Sequence, residues 1–245
     1  MKSYSLFLIC LFPMVLCAQN DKKTDIDPSK PTNLYTQVNA DAEYANTPNA
    51  RLIGMRFNIR YAPNQNNLLL AEVPIMYNTA SKRLGPSDFR IRYFTVVKRN
   101  LSQRLIAVAP FLDITAPTGS TAHGLGLGSW SFAAGGVIGY VISPKFAMFP
   151  GLGYVHITRP TATATAANGI SLQMNGSYSF SSRTFMFINP TPVFLNRAGV
   201  WKSVWSGDVS LTRILIPNKF TMNVGFAPNF TTDVYTCRIG STLFF

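Results

Sequence analysis

Along most of this chain, apolar and polar residues alternate one for one. In residues 51–62, Ile53, Met55, Phe57, Ile59 and Tyr61 share one face, and Gly54, Arg56, Asn58 and Arg60 share the other. In residues 87–98, Phe89, Ile91, Tyr93 and Val97 oppose Asp88, Arg90, Arg92 and Lys98. In residues 169–181, Ile170, Leu172, Met174, Tyr178 and Phe180 oppose Ser171, Gln173, Asn175, Ser177 and Ser179. The last segment sets Tyr235, Cys237, Ile239, Ser241, Leu243 and Phe245 against Thr236, Arg238, Gly240, Thr242 and Phe244. A period of two is that of a β-strand with two different faces.

The same reading divides the chain into twelve strands: 33–40, 51–62, 67–77, 87–98, 103–115, 129–142, 145–157, 169–181, 184–195, 203–215, 219–230 and 234–245. Most are about 10–13 residues long, enough for a tilted strand to cross a bilayer. The connections at 143–144, 182–183 and 217–218 are tight. Those at 39–50, 78–86, 116–128, 158–168 and 196–202 are longer, and the two kinds alternate except for the short connection at 230–234. Short turns on one side and long loops on the other are expected of an antiparallel transmembrane β-barrel, so the predicted fold is all-β, with about 12 strands. The rival is a secreted β-sandwich, whose outer faces would carry more charge than the 13% present here.

The first residues support export. Lys2 precedes the apolar run from Leu6 to Leu16, and Cys17-Ala18 follow. This is the layout of a secretory signal peptide over 1–18, with a core too short to span a bilayer as a helix. Acylation of Cys17 is the alternative, disfavoured by the large Leu16. Residues 19–32 are expected to form a polar periplasmic tail, and 33–245 the barrel. With Cys10 and Cys17 in or beside the leader, Cys237 stands alone and no disulfide framework is expected. Residues 114–144 are uncharged but hold seven glycines from Gly119 to Gly139. That density fits loop and bent strand rather than helix.

The 22 basic residues outnumber the 10 acidic ones. They are spread along strands instead of forming a run, so nucleic acid is not an expected partner. If the apolar faces meet lipid, Arg56, Arg60, Arg90, Arg92 and Arg238 point into the lumen with Glu72, Asp88, Asp113 and Asp208. The opposite orientation would cost roughly 2–4 kcal/mol per cation at mid-depth. The substrate path is therefore expected along Arg56, Arg60, Glu72, Arg90, Arg92, Asp113, Asp208 and Arg238, with anions or hydrogen-bond acceptors favoured. The competing reading is a salt-bridged, filled interior that conducts nothing and serves a structural or partner-binding role. His123 and His156 lie in no metal-ligand pattern, and no nucleophile motif accompanies them. Neither a metal, a cofactor nor an enzymatic activity is expected; an outer-membrane hydrolase is the weaker alternative. Gly124-Leu125-Gly126-Leu127-Gly128 lacks the lysine and helix start of a phosphate loop. The loop over 116–128 is instead a candidate to fold into the narrow lumen.

Two resemblances sharpen this picture. The terminal aromatic strand resembles the last strand of bacterial outer-membrane proteins. That likeness implies outer-membrane localisation, contact with outer-membrane lipid and recognition of Phe245 by the barrel-assembly machinery. The stretch Phe111-Leu112-Asp113-Ile114-Thr115-Ala116-Pro117-Thr118-Gly119, followed by Gly126-Leu127-Gly128-Ser129-Trp130-Ser131-Phe132, resembles the outer-membrane transporters grouped as the MetA-pathway of phenol degradation family. Ser120 departs from that pattern, in which aspartate follows Pro-Thr-Gly. The resemblance implies a barrel channel for small solutes, often hydrophobic or aromatic. The arginines on the lumen faces point to a more polar or anionic one.

Overall fold

The computed structural model describes residues 26–160 and 165–245. The expected signal peptide lies outside the described residues. Fourteen strand segments form one antiparallel sheet: β1 (Gln37–Asn46), β2 (Arg51–Asn64), β3 (Asn67–Asn78), β4 (Arg83–Pro86), β5 (Phe89–Thr95), β6 (Lys98–Arg99), β7 (Leu105–Ala116), β8 (Ser131–Ser143), β9 (Phe146–Ile157), β10 (Ala167–Ser181), β11 (Thr184–Arg197), β12 (Val200–Ile216), β13 (Phe220–Asn229) and β14 (Val234–Phe244). β4 and β5 lie along β3, and β5 and β6 along β7, so these three short pieces make a single interrupted stave. The remaining strands pair in sequence order, and β1 pairs with both β2 and β14. The result is a closed barrel of twelve staves, as the alternation predicts.

The two faces sort as the sequence pattern requires. Along β2 the burial alternates residue by residue, with Ile53, Met55, Phe57 and Ile59 outward and 38–48% exposed. Large apolar side chains cover the outside of nearly every stave. In water such a surface would be a liability; against hydrocarbon it is the favoured partner. Aromatic residues gather towards both rims. Tyr61, Tyr93, Tyr140, Tyr178 and Phe180 lie near the turns at the end that carries both barrel termini, and Tyr77, Trp130, Tyr154, Trp201 and Trp205 lie near the other end. These are the positions of interfacial girdles.

Several boundaries differ from the sequence reading; β4, for one, lies inside the connection expected over 78–86. The first strand runs over 37–46, not 33–40, and its connection to β2 is a tight turn closed by the Thr47 amide donating to the Ala50 carbonyl. Its outward residues Ala40 and Ala42 are small, and Asp41 and Glu43 face inward, so the segment resembles a polar loop when read alone. The connection after β11 is also tight. Ala198 and Gly199 both take positive φ, 51° and 84°, as a two-residue hairpin turn demands. The strand expected over 87–98 is broken at Val96 and Val97.

Since Phe57 sits at the centre of the outward face of β2, Phe57→Arg should destabilise the barrel in vesicles by about 2–4 kcal/mol. Gln173→Arg on the inner face should cost much less. Equilibrium urea unfolding of the two variants checks this.

Candidate functional site: the barrel interior

The inner faces of β1, β2, β3, β5 and β7 carry charge in direct contact. Arg56 on β2 donates from Nε to Glu43 Oε2 at 2.6 Å, from Nη2 to Glu43 Oε1 at 3.0 Å and from Nη1 to Glu72 Oε1 at 2.6 Å. Arg90 and Arg92 on β5 both bind Asp113 on β7; Arg92 Nε lies 2.9 Å from Oδ2, and Arg90 Nε lies 2.8 Å from Oδ1. The Arg92 guanidinium also sits 5.7 Å from the centre of the Phe111 ring, a cation–π distance. Such pairs form because neighbouring antiparallel strands set side chains opposite one another: Glu72 faces Arg90, and Arg92 faces Asp113.

Arg60 is placed differently. Its Nε donates to Asn58 Oδ1 at 3.3 Å, and the Gln37 side-chain amide lies beside its guanidinium. Arg238 on β14 forms an ion pair with Asp208 on β12, across β13. Of the eight sequence-predicted residues, Arg56, Glu72, Arg90, Arg92 and Asp113 therefore surround one cavity of about 700 Å³. Arg60, Asp208 and Arg238 lie outside that cavity's lining. Asp88 stands at its mouth. The opposite wall, from β8 to β11, is neutral there, with Ser171, Gln173, Thr191 and Val193.

Sequence reasoning missed two inward carboxylates, Asp41 and Glu43, because β1 was expected earlier in the chain. Asp41 accepts from the amides of Asn39 at 3.3 Å and Asn223 at 3.1 Å. The signal was a period of two in 37–46, hidden by the alanines on its outer face.

Both ends of the interior are covered. At the end away from the barrel termini, the loop between β7 and β8 carries a 3-10 turn at Thr121–His123 and reaches over the cavity with Gly124 to Leu127. Asp88 accepts from the Gly119 amide at 3.0 Å and the Leu127 amide at 2.8 Å. Asn78 donates to the His123 carbonyl at 2.9 Å. Leu125 is 4% exposed. A Cβ on Gly126 would lie 2.5 Å from the Asp88 carboxylate, so the loop closes only with glycine there.

At the other end, residues 26–36 enter the barrel rather than trailing from it. Ser177 Oγ donates to the Ser29 carbonyl at 2.5 Å, and Arg99 Nη2 donates to the Thr32 carbonyl at 3.0 Å. Ala62 N donates to Thr36 Oγ1 at 3.1 Å. Leu34 joins an inner apolar cluster with Ala62, Leu68, Val96, Ala107, Phe111 and Phe149. A second cavity, about 530 Å³, opens beside Asp27, Lys30, Lys145 and Phe185. The interior thus combines a charged chamber with an apolar cluster nearer the end that carries both barrel termini.

Among the described residues, no three His, Cys, Asp or Glu side chains come together as a metal site. His156 Nδ1 lies 2.7 Å from Asn168 Oδ1, and His123 stands in the covering loop; the two share no site.

A closed twelve-stave antiparallel barrel with an apolar outside and a charged inside defines the outer-membrane β-barrel class. Solved structures of that class share the fold. An outer-membrane channel from Pseudomonas putida F1 superposes with a TM-score of 0.62 at 12% identity, over 93% of this chain and all of that one. The NanC porin gives 0.62 at 10% identity, over 84% of this chain and 98% of that one. The KdgM porin, solved with a disordered oligogalacturonate, gives 0.55 at 11% identity, over 84% and 99%. No protein-family model matches the chain, and no curated protein matches it.

Asp113 holds two guanidinium groups, whereas Asp208 holds one and is itself more exposed. Asp113→Asn should therefore lower stability by about 1–3 kcal/mol, the cost of leaving charged donors without their partner. Asp208→Asn should lower it less. Thermal unfolding in detergent micelles, followed by the heat-modifiable gel shift, ranks the two.

Proposed function

We propose that this protein is a passive channel of the bacterial outer membrane for small solutes. The observation that carries the reading is the 700 Å³ chamber lined by Arg56, Glu72, Arg90, Arg92 and Asp113, inside a barrel whose outer surface suits lipid. Charged side chains held in a wet lumen act on a passing solute through field and hydrogen bonds, which is how pores select. The shared fold with outer-membrane channels and porins supports the reading. The resemblance of residues 111–119 and 126–132 to the MetA-pathway of phenol degradation family points the same way, towards transport rather than hydrolysis. Outer-membrane residence, cleavage of a signal peptide over 1–18 and recognition of Phe245 by the assembly machinery belong to the same proposal.

The two end segments set the permeability. We assign the hydrophobic barrier to the apolar cluster around Leu34 and Phe149, a partial collar on β2 to β9. Displacement of residues 26–36 would open it, since they are held mainly by a few hydrogen bonds and one buried leucine. A filled, structural barrel is the second reading, favoured by that same collar.

Liposome swelling separates the two. Vesicles containing the refolded full chain should swell in small polar solutes, and Leu34→Ala should raise the rate about two- to fivefold by thinning the hydrophobic barrier. Folded, inserted protein that admits no solute in either form would overturn the channel reading in favour of the filled barrel.

A further inference from the structure

The charges on the inner wall are grouped as well as numerous. Arg90 and Arg92 share a single carboxylate, Asp113, which leaves that centre with a formal charge of +1. Arg56 sits between two carboxylates, Glu43 and Glu72, which leaves that centre at −1. Glu43 engages Arg56 through both oxygens, so the excess negative charge falls on Glu72. The two centres are neighbours, because Glu72 and Arg90 are directly opposed in the β3–β5 ladder, where facing Cβ atoms stand about 4.5–5.5 Å apart. Both centres border the same chamber, and its facing wall is neutral.

Each centre also has bonding capacity left. The contacts with Asp113 use Nε and Nη2 of both arginines, leaving the two Nη1 groups to donate. Glu72 Oε2 has only a long contact, 3.5 Å, to Asn58. A carboxylate oxygen can accept more than one hydrogen bond.

A solute of one charge is attracted by one centre and repelled by the other. A solute with both charges a few ångströms apart is attracted by both. We infer that the chamber takes small zwitterionic solutes of the amino-acid kind. The carboxylate lies towards Arg90 and Arg92, the ammonium towards Glu72, and the polar remainder against Ser171 and Gln173. The inference rests on the channel reading and specifies its solute class.

Liposome swelling with four isosteres tests it: alanine (zwitterion), lactamide (uncharged), lactate (anion) and alaninamide (cation). Vesicles with the full chain should admit alanine at least about threefold faster than lactamide or lactate. The double variant Arg90→Gln/Arg92→Gln should lose that advantage. Glu72→Gln should shift preference to lactate, a gain that a misfolded barrel cannot mimic. Lactate entering the wild-type barrel as fast as alanine, or an alanine advantage that survives both variants, would overturn the inference while leaving a channel. Entry of none of the four through folded protein would overturn the channel reading, and this inference with it.

Discussion

Everything in this molecule depends on the pairing of β1 with β14. A sheet surrounded by hydrocarbon cannot leave an edge, because each unpaired backbone amide or carbonyl there costs several kcal/mol. The ladder from Gln37↔Phe244 to Asn46↔Tyr235 removes the last edge. The continuation of β1 onto β2 then makes the hydrogen-bond ring continuous. Among the described residues Cys237 is the one cysteine and is free, so within them this closure, not a disulfide, is the main long-range constraint on the fold. Closure also fixes inside and outside for all twelve staves together, since a one-residue slip would turn every side chain to the wrong face.

Charge distribution follows from that sorting. The inner wall between the rims carries Arg56, Arg60, Arg90, Arg92 and Arg238 against Asp41, Glu43, Glu72, Asp113 and Asp208, so its charges cancel. The formal +12 of the whole chain therefore arises elsewhere, chiefly in turns and rims, where Lys82, Arg83, Arg159, Lys145, Arg183 and Lys219 lie. A basic sequence does not make a basic lumen. Mutual pairing also explains how so much charge is tolerated in a narrow interior: a guanidinium alone there would be costly, while one bridging two strands adds cross-strand contacts.

Much of the fold is legible in the sequence because a barrel's rule is local. In β2, β5 and β10 the two faces differ so strongly that the period of two is plain from a dozen residues. Arg56, Glu72, Arg90, Arg92 and Asp113 were found by the same rule, as polar positions on otherwise apolar strands. The rule fails where the outward residues are small, as with Ala40 and Ala42, and with it went Asp41 and Glu43. Pairing itself is a property of two strands, so the sequence offers the charges but not their partners. That is why a basic lining and a salt-bridged interior both stay open until the strand register shows which arginine meets which carboxylate. The entry of residues 26–36 has no period at all. Leu34 and Ile26 are the only aliphatic residues in a stretch rich in polar residues and proline, and only the packing of Leu34 against Ala62, Leu68 and Phe149 shows its role. The covering loop was legible in outline from its glycines, but its anchorage to Asp88 and Asn78 depends on residues about 30 to 45 positions away.

The proposed channel has an inner wall whose charges cancel in sum, Arg90 and Arg92 on Asp113 balancing Arg56 between Glu43 and Glu72. Its most direct test is the reversal potential of single channels formed by the refolded full chain in a planar bilayer with a potassium chloride gradient. Balanced pairs predict a reversal potential near zero, moving to the cation-selective side in Arg90→Gln/Arg92→Gln. A strongly anion-selective wild-type channel would show that the arginines act unopposed, and would contradict it.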